Sequence, residues 1–586
     1  MTKTVDSLWI VKETTVLEEL VITNQAEIKP VEGKNLTFTA GGVLTELKPG
    51  TYRDAVLSVT QPYVMGPSGL FRFTGRSTEF RQAVCIENGV YTAEKSVPAA
   101  ILSGTVADGV ASDVCLRGND EITGFVVDGG RYRIENLSID LDGDGGNDFI
   151  GLGSGVCTVG DAQVEIDGAD INFRGVTRCA VHVGGHSKVQ ISNSKFTNFG
   201  PAATPKMRAA WMMGLDGTNR LTQLTDCGTV TYTNCELRSN GWGVMSVDGS
   251  DKCRMYMKDC LLELIEPPAR GYGAFSIGDC WIYYDHCRMN INGYPILMNT
   301  EDGGGAEFSN GCEVTGDMYG AMIFRDMGGT LNCADSTFRT GLSTFLVKGS
   351  NAFVNVKNCV LQPGNGIILQ LMDSDEPGMF NPCFKPPIGE VDTPIEGRDL
   401  TAADPKEDVF LTLTDLTAKG DILNSTTDLK ANCRHYDDEA GITIKTGVLK
   451  DVDLNYDENG HSDASAATEA GNHLLQGVKN LDVRFTNAHL EGVISSACQK
   501  WADGVTKING DNHHELNNIT QWAAPTVNNG VIVTLDASSS WTVTGTSYIT
   551  KLVIADGAQV IAETMTVDGV KTPIVPGTYT GKIILA

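Results

Sequence analysis

Hydrophobic and polar residues alternate in short stretches along most of the chain, and turn residues separate each stretch from the next. This alternation has the period of two that a half-buried β-strand requires, and nothing has the 3.6-residue period of a long helix. Six stretches open at comparable positions separated by 30, 22, 25, 23 and 23 residues: Trp242, Tyr272, Tyr294, Tyr319, Leu342 and Asn365. The chain is therefore predicted to be all-β and built from repeated coils.

A second ladder, of small side chains, runs in phase with the first. It comprises Ser194, Cys235, Cys260, Cys287, Cys312, Ser336 and Cys359. Successive coils of a β-solenoid stack about 4.8 Å apart, so equivalent residues of neighbouring coils lie above one another. We expect these thiols and hydroxyls to form one inward ladder of small core residues.

The period of 22 to 30 residues, with three short strands per repeat, resembles that of right-handed parallel β-helix proteins, both pectate-lyase-like and adhesin-like, from about residue 120 to about residue 545. The stretch from Ser538 to Ala558 is also similar to autotransporter and adhesin coils, in which a W-x-V-x-G-x-S strand precedes an L-x-L-x-x-G-A strand. These resemblances imply a single-chain right-handed parallel β-helix.

Both ends of the chain carry a similar segment. Leu20–Ile28 resembles Leu552–Val560, and the Pro-Gly-Thr-Tyr sequence ending at Tyr52 recurs at Tyr579. The exposed ends of a solenoid must be covered, so these segments are predicted to be small β capping modules. The predicted organisation is an N-terminal module (1–70), a connecting β segment (71–120), the β-helix (121–545) with a proline-rich insertion (376–408), and a C-terminal module (546–586) similar to residues 20–59.

Composition narrows the possible partners. Hydrophobic residues make up 41% of the 586 residues, enough for a large core, and no apolar run is long enough to span a membrane. Lys plus Arg total 45 against 73 Asp plus Glu, a net charge of −28 that argues against nucleic acid as a partner. The first residues lack a secretory signal, and the 16 cysteines contain no CxxC pair. These features favour a cytoplasmic, reducing location, as in an anaerobe, or secretion if a native signal is missing.

The strands that open the repeats suggest a binding face. Alternation places an apolar row on their outer side, including Met245, Phe275, Met322 and Phe345. An exposed row of this length needs a cover, such as a partner chain, a loop or a ligand, and it or the terminal modules could form a homo-oligomer. Beside it, Trp242, Tyr272, Tyr294 and Tyr319 are expected to stack, either as a platform for a sugar or other ring or as a core corner.

Charged residues follow the same strands. Arg325 and Lys348 would lie on neighbouring coils, with the carboxylates Asp279, Glu301 and Asp302 close by. Such a cluster can bind a substrate carboxylate and tune a base, as in the β-helix lyases and epimerases that the fold resembles, although no lyase-specific motif is present. Paired carboxylates would instead support hydrolysis, and His286 is a further proton-transfer candidate.

One acidic stretch matches the first half of a calcium-binding loop. Asp140, Asp142, Asp144 and Asp148 place oxygens at the first, third, fifth and ninth positions, but no glutamate occupies the twelfth. Calcium is therefore a candidate ligand, and no nucleotide-binding motif indicates an organic cofactor.

Two functional hypotheses follow. The first is an enzyme without organic cofactor that acts by proton abstraction, as a lyase or isomerase, or by hydrolysis, on a carbohydrate or other ring compound under a loop. The alternative is a surface adhesin or a self-assembling structural β-helix protein.

Overall fold

The computed structural model describes residues 1–65, 78–119, 122–199, 219–247, 251–265, 270–300, 303–323, 328–348, 351–372, 397–426, 479–502 and 515–586. Inter-residue contacts divide them into two compact units, the first ending at Arg254 and the second beginning at Met255. The sequence pattern did not predict this division. The described 3-10 turns are Ala93–Lys95, Pro98–Ala100 and Asp148–Ile150.

The strands up to residue 247 belong to the first unit. They are β1 (Thr2–Val5), β2 (Leu8–Val11), β3 (Thr15–Ile22), β4 (Glu27–Pro30), β5 (Asn35–Ala40), β6 (Val43–Leu44), β7 (Gly50–Thr60), β8 (Tyr63–Met65), β9 (Thr78–Glu87), β10 (Val90–Tyr91), β11 (Ile101–Ala107), β12 (Val110–Gly118), β13 (Ile122–Asp128), β14 (Arg131–Glu135), β15 (Ser138–Asp142), β16 (Val156–Val159), β17 (Gln163–Asp167), β18 (Asp170–Arg174), β19 (Val181–Val183), β20 (Lys188–Ser192), β21 (Lys195–Asn198), β22 (Thr222–Leu224), β23 (Thr229–Thr233), β24 (Glu236–Ser239) and β25 (Gly243–Val247).

The division between the units falls within the next strand, and the strands after it belong to the second unit. They are β26 (Asp251–Lys258), β27 (Leu261–Leu264), β28 (Gly271–Ile277), β29 (Asp279–Asp285), β30 (Arg288–Ile291), β31 (Gly293–Asn299), β32 (Gly305–Ser309), β33 (Glu313–Gly316), β34 (Ala321–Ile323), β35 (Gly329–Ala334), β36 (Thr337–Thr340), β37 (Phe345–Val347), β38 (Ala352–Lys357), β39 (Val360–Pro363), β40 (Ile367–Leu371), β41 (Val409–Thr414), β42 (Thr417–Lys419), β43 (Asp421–Asn424), β44 (Leu481–Thr486), β45 (His489–Glu491), β46 (Ile494–Trp501), β47 (Ile519–Ala523), β48 (Val531–Leu535), β49 (Ser540–Thr542), β50 (Ser547–Ile554), β51 (Gln559–Ile561), β52 (Met565–Val567), β53 (Val570–Lys571) and β54 (Gly577–Leu585).

Each unit contains coils of three strands that pair in parallel with the next coil. One strand per coil lies in sheet A, for example β13, β16 and β19, and the other two lie in sheet B, for example β14 and β15 followed by β17 and β18. Near the C-terminus, β42, β45, β49 and β51 form a separate sheet at the third-strand position. The chain is a right-handed parallel β-helix, as its sequence pattern predicts.

Stacked apolar side chains fill the inside of the coils. In the first unit, Ile134, Ile166, Ile191 and Tyr232 are in register on successive sheet B strands, and all are buried. Burial of each such side chain contributes roughly 1.5–3 kcal/mol relative to exposure. Because the two sides of a strand alternate, the intervening residues of the same strands face outward.

A left-handed residue separates the two sheet B strands of a coil. Asparagine and aspartate tolerate this conformation best among residues with a side chain. The described non-glycine turn positions with positive φ are Asn136, Asn193, Asn234, Asp259, His286, Asn310, Asp335 and Asn358, and Asp415 and Asn487 occupy the equivalent turns before strands of the separate sheet. Their side chains often bond to an acid or amide one coil earlier, as Asn310 Nδ2 does to Asp285 Oδ1 at 2.9 Å. The sharp corner therefore recurs at the same place in many coils.

The predicted ladder of small residues lies directly after this corner. Cys235, Cys260, Cys287 and Cys359 each donate from Sγ to the carbonyl two residues earlier, at 3.2–3.4 Å, and Ser336 does so at 2.6 Å. The ladder residues are at most 5% exposed. Their small donor group bridges the corner, and burial raises the pKa of the Cys312 thiol. These cysteines are structural core residues, and no disulfide joins the cysteines of the described residues.

The packing of the ladder predicts that stability depends on the size of its side chains. Cys312→Ser keeps a small donor, as Ser194 and Ser336 do in their coils, so it is expected to cost no more than about 1 kcal/mol. Cys312→Leu overpacks the corner and is expected to cost about 1–3 kcal/mol. The thermal unfolding midpoints of the two variants distinguish these outcomes. Equal losses of stability would show that neither the size nor the donor group of the ladder residue matters at this corner.

The two terminal modules share their strand register. Leu20 pairs with Tyr52 on β7, and Leu552 pairs with Tyr579 on β54. Each tyrosine hydroxyl donates to the carbonyl four residues earlier, Tyr52 at 2.9 Å and Tyr579 at 2.8 Å. The sequence similarity between the chain ends therefore reflects one folded motif that occurs twice.

Candidate functional site

The predicted catalytic residues follow strands of sheet A. Glu301, Asp302 and Arg325 lie outside the described residues. Lys348 directly follows β37 and is 3% exposed, and Asp279 begins β29 and is half-buried. Both occupy the corner between sheets A and B, three coils and about 14 Å apart. Among the described residues, the structure therefore places Lys348 and Asp279 on one edge but not in direct contact.

His286 lies at a different corner. It occupies the left-handed position between the two sheet B strands β29 and β30, and its Nδ1 lies 2.8 Å from Asp259 Oδ1. Its side chain points outward, as expected, and is 67% exposed. The position belongs to the asparagine and aspartate turn ladder, so the structure does not bring His286 together with Lys348.

The tyrosine ladder is buried. Tyr272, Tyr294 and Tyr319 are each 0% exposed. The rings of Tyr294 and Tyr319, on neighbouring coils, stack with centroids 6.0 Å apart and an angle of 2° between their planes. Asn517 Nδ2 donates to the Tyr294 hydroxyl at 2.6 Å, and the Tyr319 hydroxyl donates to the Asn517 carbonyl at 2.5 Å. Tyr294 and Tyr319 therefore anchor the segment that leads into β47, and none of the three buried tyrosines presents an open sugar platform.

The predicted exposed apolar row also needs correction. Strand register joins Phe275, Leu297 and Met322 with Leu346 in one row, while Phe345 continues the opposite row. Phe345 is 1% exposed and its ring contacts that of buried Phe338, 5.6 Å away. A shift of one residue in register exchanges the two faces of a strand.

Met245 is likewise on the inner side. It pairs with Thr222, whose hydroxyl hydrogen-bonds to that of the buried Tyr232 at 2.6 Å. Met322 is 0% exposed and Phe275 is half-buried, so these side chains do not form the exposed apolar face on which oligomerisation was expected.

The acidic loop does not gather its carboxylates around one point. Arg174 contacts Asp140 at 2.7 Å and Asp142 at 3.8 Å, while Asp144 accepts the Val176 N–H at 3.1 Å. Asp148 points instead to Arg220. Among the described residues, no cluster of three or more acidic, histidine or cysteine side chains is arranged to hold a metal ion. The four aspartates therefore do not fit the predicted calcium site.

Asp148 and Arg220 form a buried ion pair, 2.6 Å apart and at most 5% exposed. The guanidinium also lies over the rings of Phe149, at 4.9 Å, and Trp242, at 5.4 Å. Desolvation raises the pKa of Asp148 despite the attraction of Arg220. Trp242, expected to bind substrate, packs here against an internal cation. The pair holds the 3-10 turn at Asp148–Ile150 against sheet A.

Because this ion pair is buried, its loss is expected to lower the stability of the protein more than the loss of an exposed pair. Arg220→Met leaves a buried carboxylate without its cation and is expected to cost about 3–5 kcal/mol. Arg174→Met removes an ion pair whose arginine is 51% exposed and is expected to cost less than about 1 kcal/mol. Comparable shifts of the thermal midpoint in the two variants would contradict the conclusion that the Asp148–Arg220 pair is a buried, stabilising contact.

A different group of aromatic residues does lie on the surface, on the outer side of sheet B. Tyr256 on β26 and Tyr283 on β29 stack with ring centroids 5.0 Å apart and 6° between planes. Trp281 stacks on Tyr283 at 5.6 Å and 15°. Tyr256 is 41% exposed, and the other two rings are half-buried. We call these three residues the aromatic platform.

The next coil supports the orientation of the Trp281 ring. A Cβ at Gly305 would lie 2.8 Å from the ring, so the missing side chain lets the indole lie across β32. The indole N–H also donates to the Gly303 carbonyl. The ring is therefore held in place before any ligand arrives.

Charged and amide side chains border the platform. Lys258 Nζ donates to Asp285 Oδ2 at 3.2 Å, and hydrogen bonds from Asn310 and Lys258 lower the pKa of Asp285. From Tyr283, strand register continues along the same outer face through a polar row: Glu307, Asn332, Asn355, Thr412 and Arg484. Five coil steps from Tyr283 to Arg484 span about 24 Å.

A second aromatic pair lies beside the far end of this polar row. Phe353 and Phe410 stack at 5.1 Å and 11°, and the guanidinium of Arg484 lies 5.5 Å from the Phe410 ring. Arg484 is held by Asp482 at 2.8 Å. The outer side of sheet B in the second unit thus has stacked rings near both ends and hydrogen-bonding side chains between them.

The sequence contained a signal for this surface. In Cys253–Lys258 and Cys280–Asp285, every second residue is a buried apolar or cysteine side chain. The same alternation turns Tyr256, Trp281 and Tyr283 outward.

Comparison with known proteins adds little to these observations. No family model and no curated protein matches the sequence. A structure of an alginate lyase in complex with G6 aligns over 78% of this chain and 85% of that chain, at 10% identity and a TM-score of 0.24. A PL6 alginate lyase in complex with a trisaccharide aligns over 84% and 91%, at 10% identity and a TM-score of 0.23. The strand pairing of the chain itself defines its β-helix fold.

Proposed function

We propose that this β-helix protein binds a carbohydrate polymer along the outer side of sheet B in its second unit. The observation that carries the proposal is the aromatic platform, three solvent-accessible rings stacked within 5.0–5.6 Å on two neighbouring coils. The flat faces of sugar rings carry C–H groups that pack on aromatic faces, while their edges carry hydroxyls that need hydrogen-bonding partners. The platform and its polar border supply both kinds of contact.

The shape of the surface favours an extended ligand. Stacked coils repeat every 4.8 Å or so, which is close to the length of one sugar unit in an extended chain. The polar row from Glu307 to Arg484 continues in register from the platform, and Asn355 Nδ2 donates to Asn332 Oδ1 at 3.0 Å across two coils. A polymer lying along the β-helix axis would therefore meet an equivalent position at each coil.

Removing the platform tests this proposal. Trp281→Ala with Tyr283→Ala is expected to weaken binding at least about tenfold, through the loss of about 1.4 kcal/mol or more of stacking contact. Trp522→Ala is the matched control, because that ring is also on the surface, 40% exposed, and stands on β47 away from sheet B. Binding is measured by affinity electrophoresis in gels containing a neutral β-glucan, a mannan, polygalacturonate or alginate.

Two results would contradict it. One is equal retardation of the double variant and the Trp522 control in a polymer that retards the wild type. The other is free migration of the wild type through every polymer. Circular dichroism of the double variant provides the folding control.

A catalytic form of this function is a second candidate. The buried Lys348 at the sheet A edge, with Asp279 on the same edge, favours it, since buried ionisable groups concentrate at reactive sites. In this form Lys348 takes a proton next to a substrate carboxylate, giving elimination or isomerisation. Carboxylates on this edge would instead support hydrolysis.

Activity of a lysine variant tests the catalytic candidate. Lys348→Met is expected to lower turnover at least about a hundredfold, the usual contribution of a positioned general base. Lys419→Met is the control, because Lys419 is 78% exposed in an ion pair with Glu491. Formation of unsaturated products is followed by ultraviolet absorbance, and new reducing ends report hydrolysis. Binding without turnover in the wild type would remove the catalytic candidate and leave an adhesin-like binding protein.

A further inference from the structure

The outward row that contains Trp281 continues beyond the aromatic platform. Strand register leads from Trp281 to Gly305, then to Thr330, and then to Phe353. Phe353 pairs in turn with Phe410 on the following coil. This row of sheet B therefore carries one aromatic residue, two small residues and two further aromatic residues on successive coils of the second unit.

The ring of Phe353 is held in place by its neighbours, as the ring of Trp281 is. It is half-buried and stacks on the ring of Phe410, with centroids 5.1 Å apart and 11° between the planes. Phe410 is only 8% exposed, and the guanidinium of Arg484 lies 5.5 Å from the centre of its ring. Phe353 thus presents an accessible ring, and Phe410 supports that ring from the next coil.

The two small residues keep the surface low between the aromatic groups. Gly305 has no side chain, and the indole of Trp281 lies across it. Thr330, on the next coil, is half-buried. A bulky outward side chain at either position would stand between the platform and Phe353, where a bound chain has to pass. Within the described residues of this row, the small side chains therefore leave a path from one aromatic group to the other.

The spacing of the two aromatic groups sets a minimum length for a ligand that contacts both. Trp281 and Phe353 lie three coil steps apart, about 14 Å. Tyr256 and Phe410, at the outer ends of the two groups, lie five steps apart, about 24 Å. With one sugar unit per coil, a chain needs about four units to reach from Trp281 to Phe353 and about six to cover both groups.

The side chains beside this path favour an uncharged ligand. Asn332 and Asn355 lie in the neighbouring outward row, where Asn355 Nδ2 donates to Asn332 Oδ1 at 3.0 Å. Each amide has further hydrogen-bonding groups, which suit the hydroxyls of a sugar. Glu307 precedes Asn332 in the same row, and its carboxylate would repel a uronic acid at that coil. The path therefore suits neutral sugar units.

We propose that Phe353, supported by Phe410, is a second stacking subsite for the carbohydrate that binds the aromatic platform, and that this ligand is a neutral chain of at least four sugar units. The inference rests on the proposed binding of a polymer along sheet B. A single chain that stacks on both groups gains the second contact without the loss of freedom that a separate ligand would undergo. Affinity is therefore expected to increase with chain length until both groups are contacted.

Oligosaccharides of defined length test this subsite. Disaccharides and hexasaccharides of a β-glucan and of a mannan are titrated into the full chain by isothermal calorimetry, and the ratio of the two affinities is compared between variants. In the wild type, the hexasaccharide is expected to bind at least about tenfold more tightly than the disaccharide. Phe353→Leu keeps an apolar side chain against Phe410 but loses the aromatic face, and it is expected to reduce this ratio about fivefold.

Two matched variants separate the loss of the ring from a loss of structure. Phe353→Tyr keeps the aromatic face and is expected to keep the wild-type ratio of affinities. Val360→Ala removes a 51% exposed apolar side chain from β39, in the same coil as Phe353, and is also expected to keep that ratio. Circular dichroism of each variant provides the folding control.

Three results would overturn this inference while the proposed function remains. The first is the same ratio of affinities in the wild type and in Phe353→Leu. The second is a hexasaccharide that binds the wild type no more tightly than the disaccharide does. The third is retardation of the wild type in gels containing alginate or polygalacturonate but in neither neutral polymer. Free migration through every polymer gel would instead remove the proposed function itself.

Discussion

The repeated corner between the two strands of sheet B is the constraint on which the described coils depend. A residue with positive φ turns the chain there, and a small side chain directly after it closes the turn by donating to the carbonyl two residues earlier. Because parallel coils stack at a fixed spacing of about 4.8 Å, any coil that replaced this pair by bulky residues would push its neighbours apart. The asparagine and cysteine ladders therefore both arise because each coil must turn sharply at this corner without pushing its neighbours apart.

The same stacking decides which surfaces remain for binding. The outer row of sheet A in the second unit carries Leu297, Met322 and Leu346, all 0% exposed. Sheet B has the opposite arrangement, since its inner row fills the core while its outer row keeps Tyr256, Trp281 and Tyr283 accessible. Sheet B therefore offers the accessible aromatic surface, whereas Lys348 lies buried at the edge of sheet A.

Buried polar groups reinforce this separation. In the first unit, the Asp148–Arg220 pair and the ring of Trp242 form an internal cluster against sheet A. In the second unit, Asn517 joins the hydroxyls of Tyr294 and Tyr319. Such groups are costly to bury without partners, so each fixes a covering segment in one position. The aromatic residues in these two clusters therefore stabilise the fold and are not available to stack on a sugar.

Period and residue type alone determined the all-β coil, the corner ladder and the similarity of the two terminal modules, because all three depend on local turns and on repetition of like residues. Faces and exposure were decided only by tertiary structure. Phe345 lies on the inner row because of its strand register, and the tyrosine ladder is buried because residues near Asn517, about 200 positions away, lie over it. Likewise, Trp541 is 0% exposed whereas Trp9 is half-buried, although each tryptophan lies upstream of one of the two similar segments. Local sequence specifies which side chains alternate, but only the packing of distant segments decides which of them meet solvent.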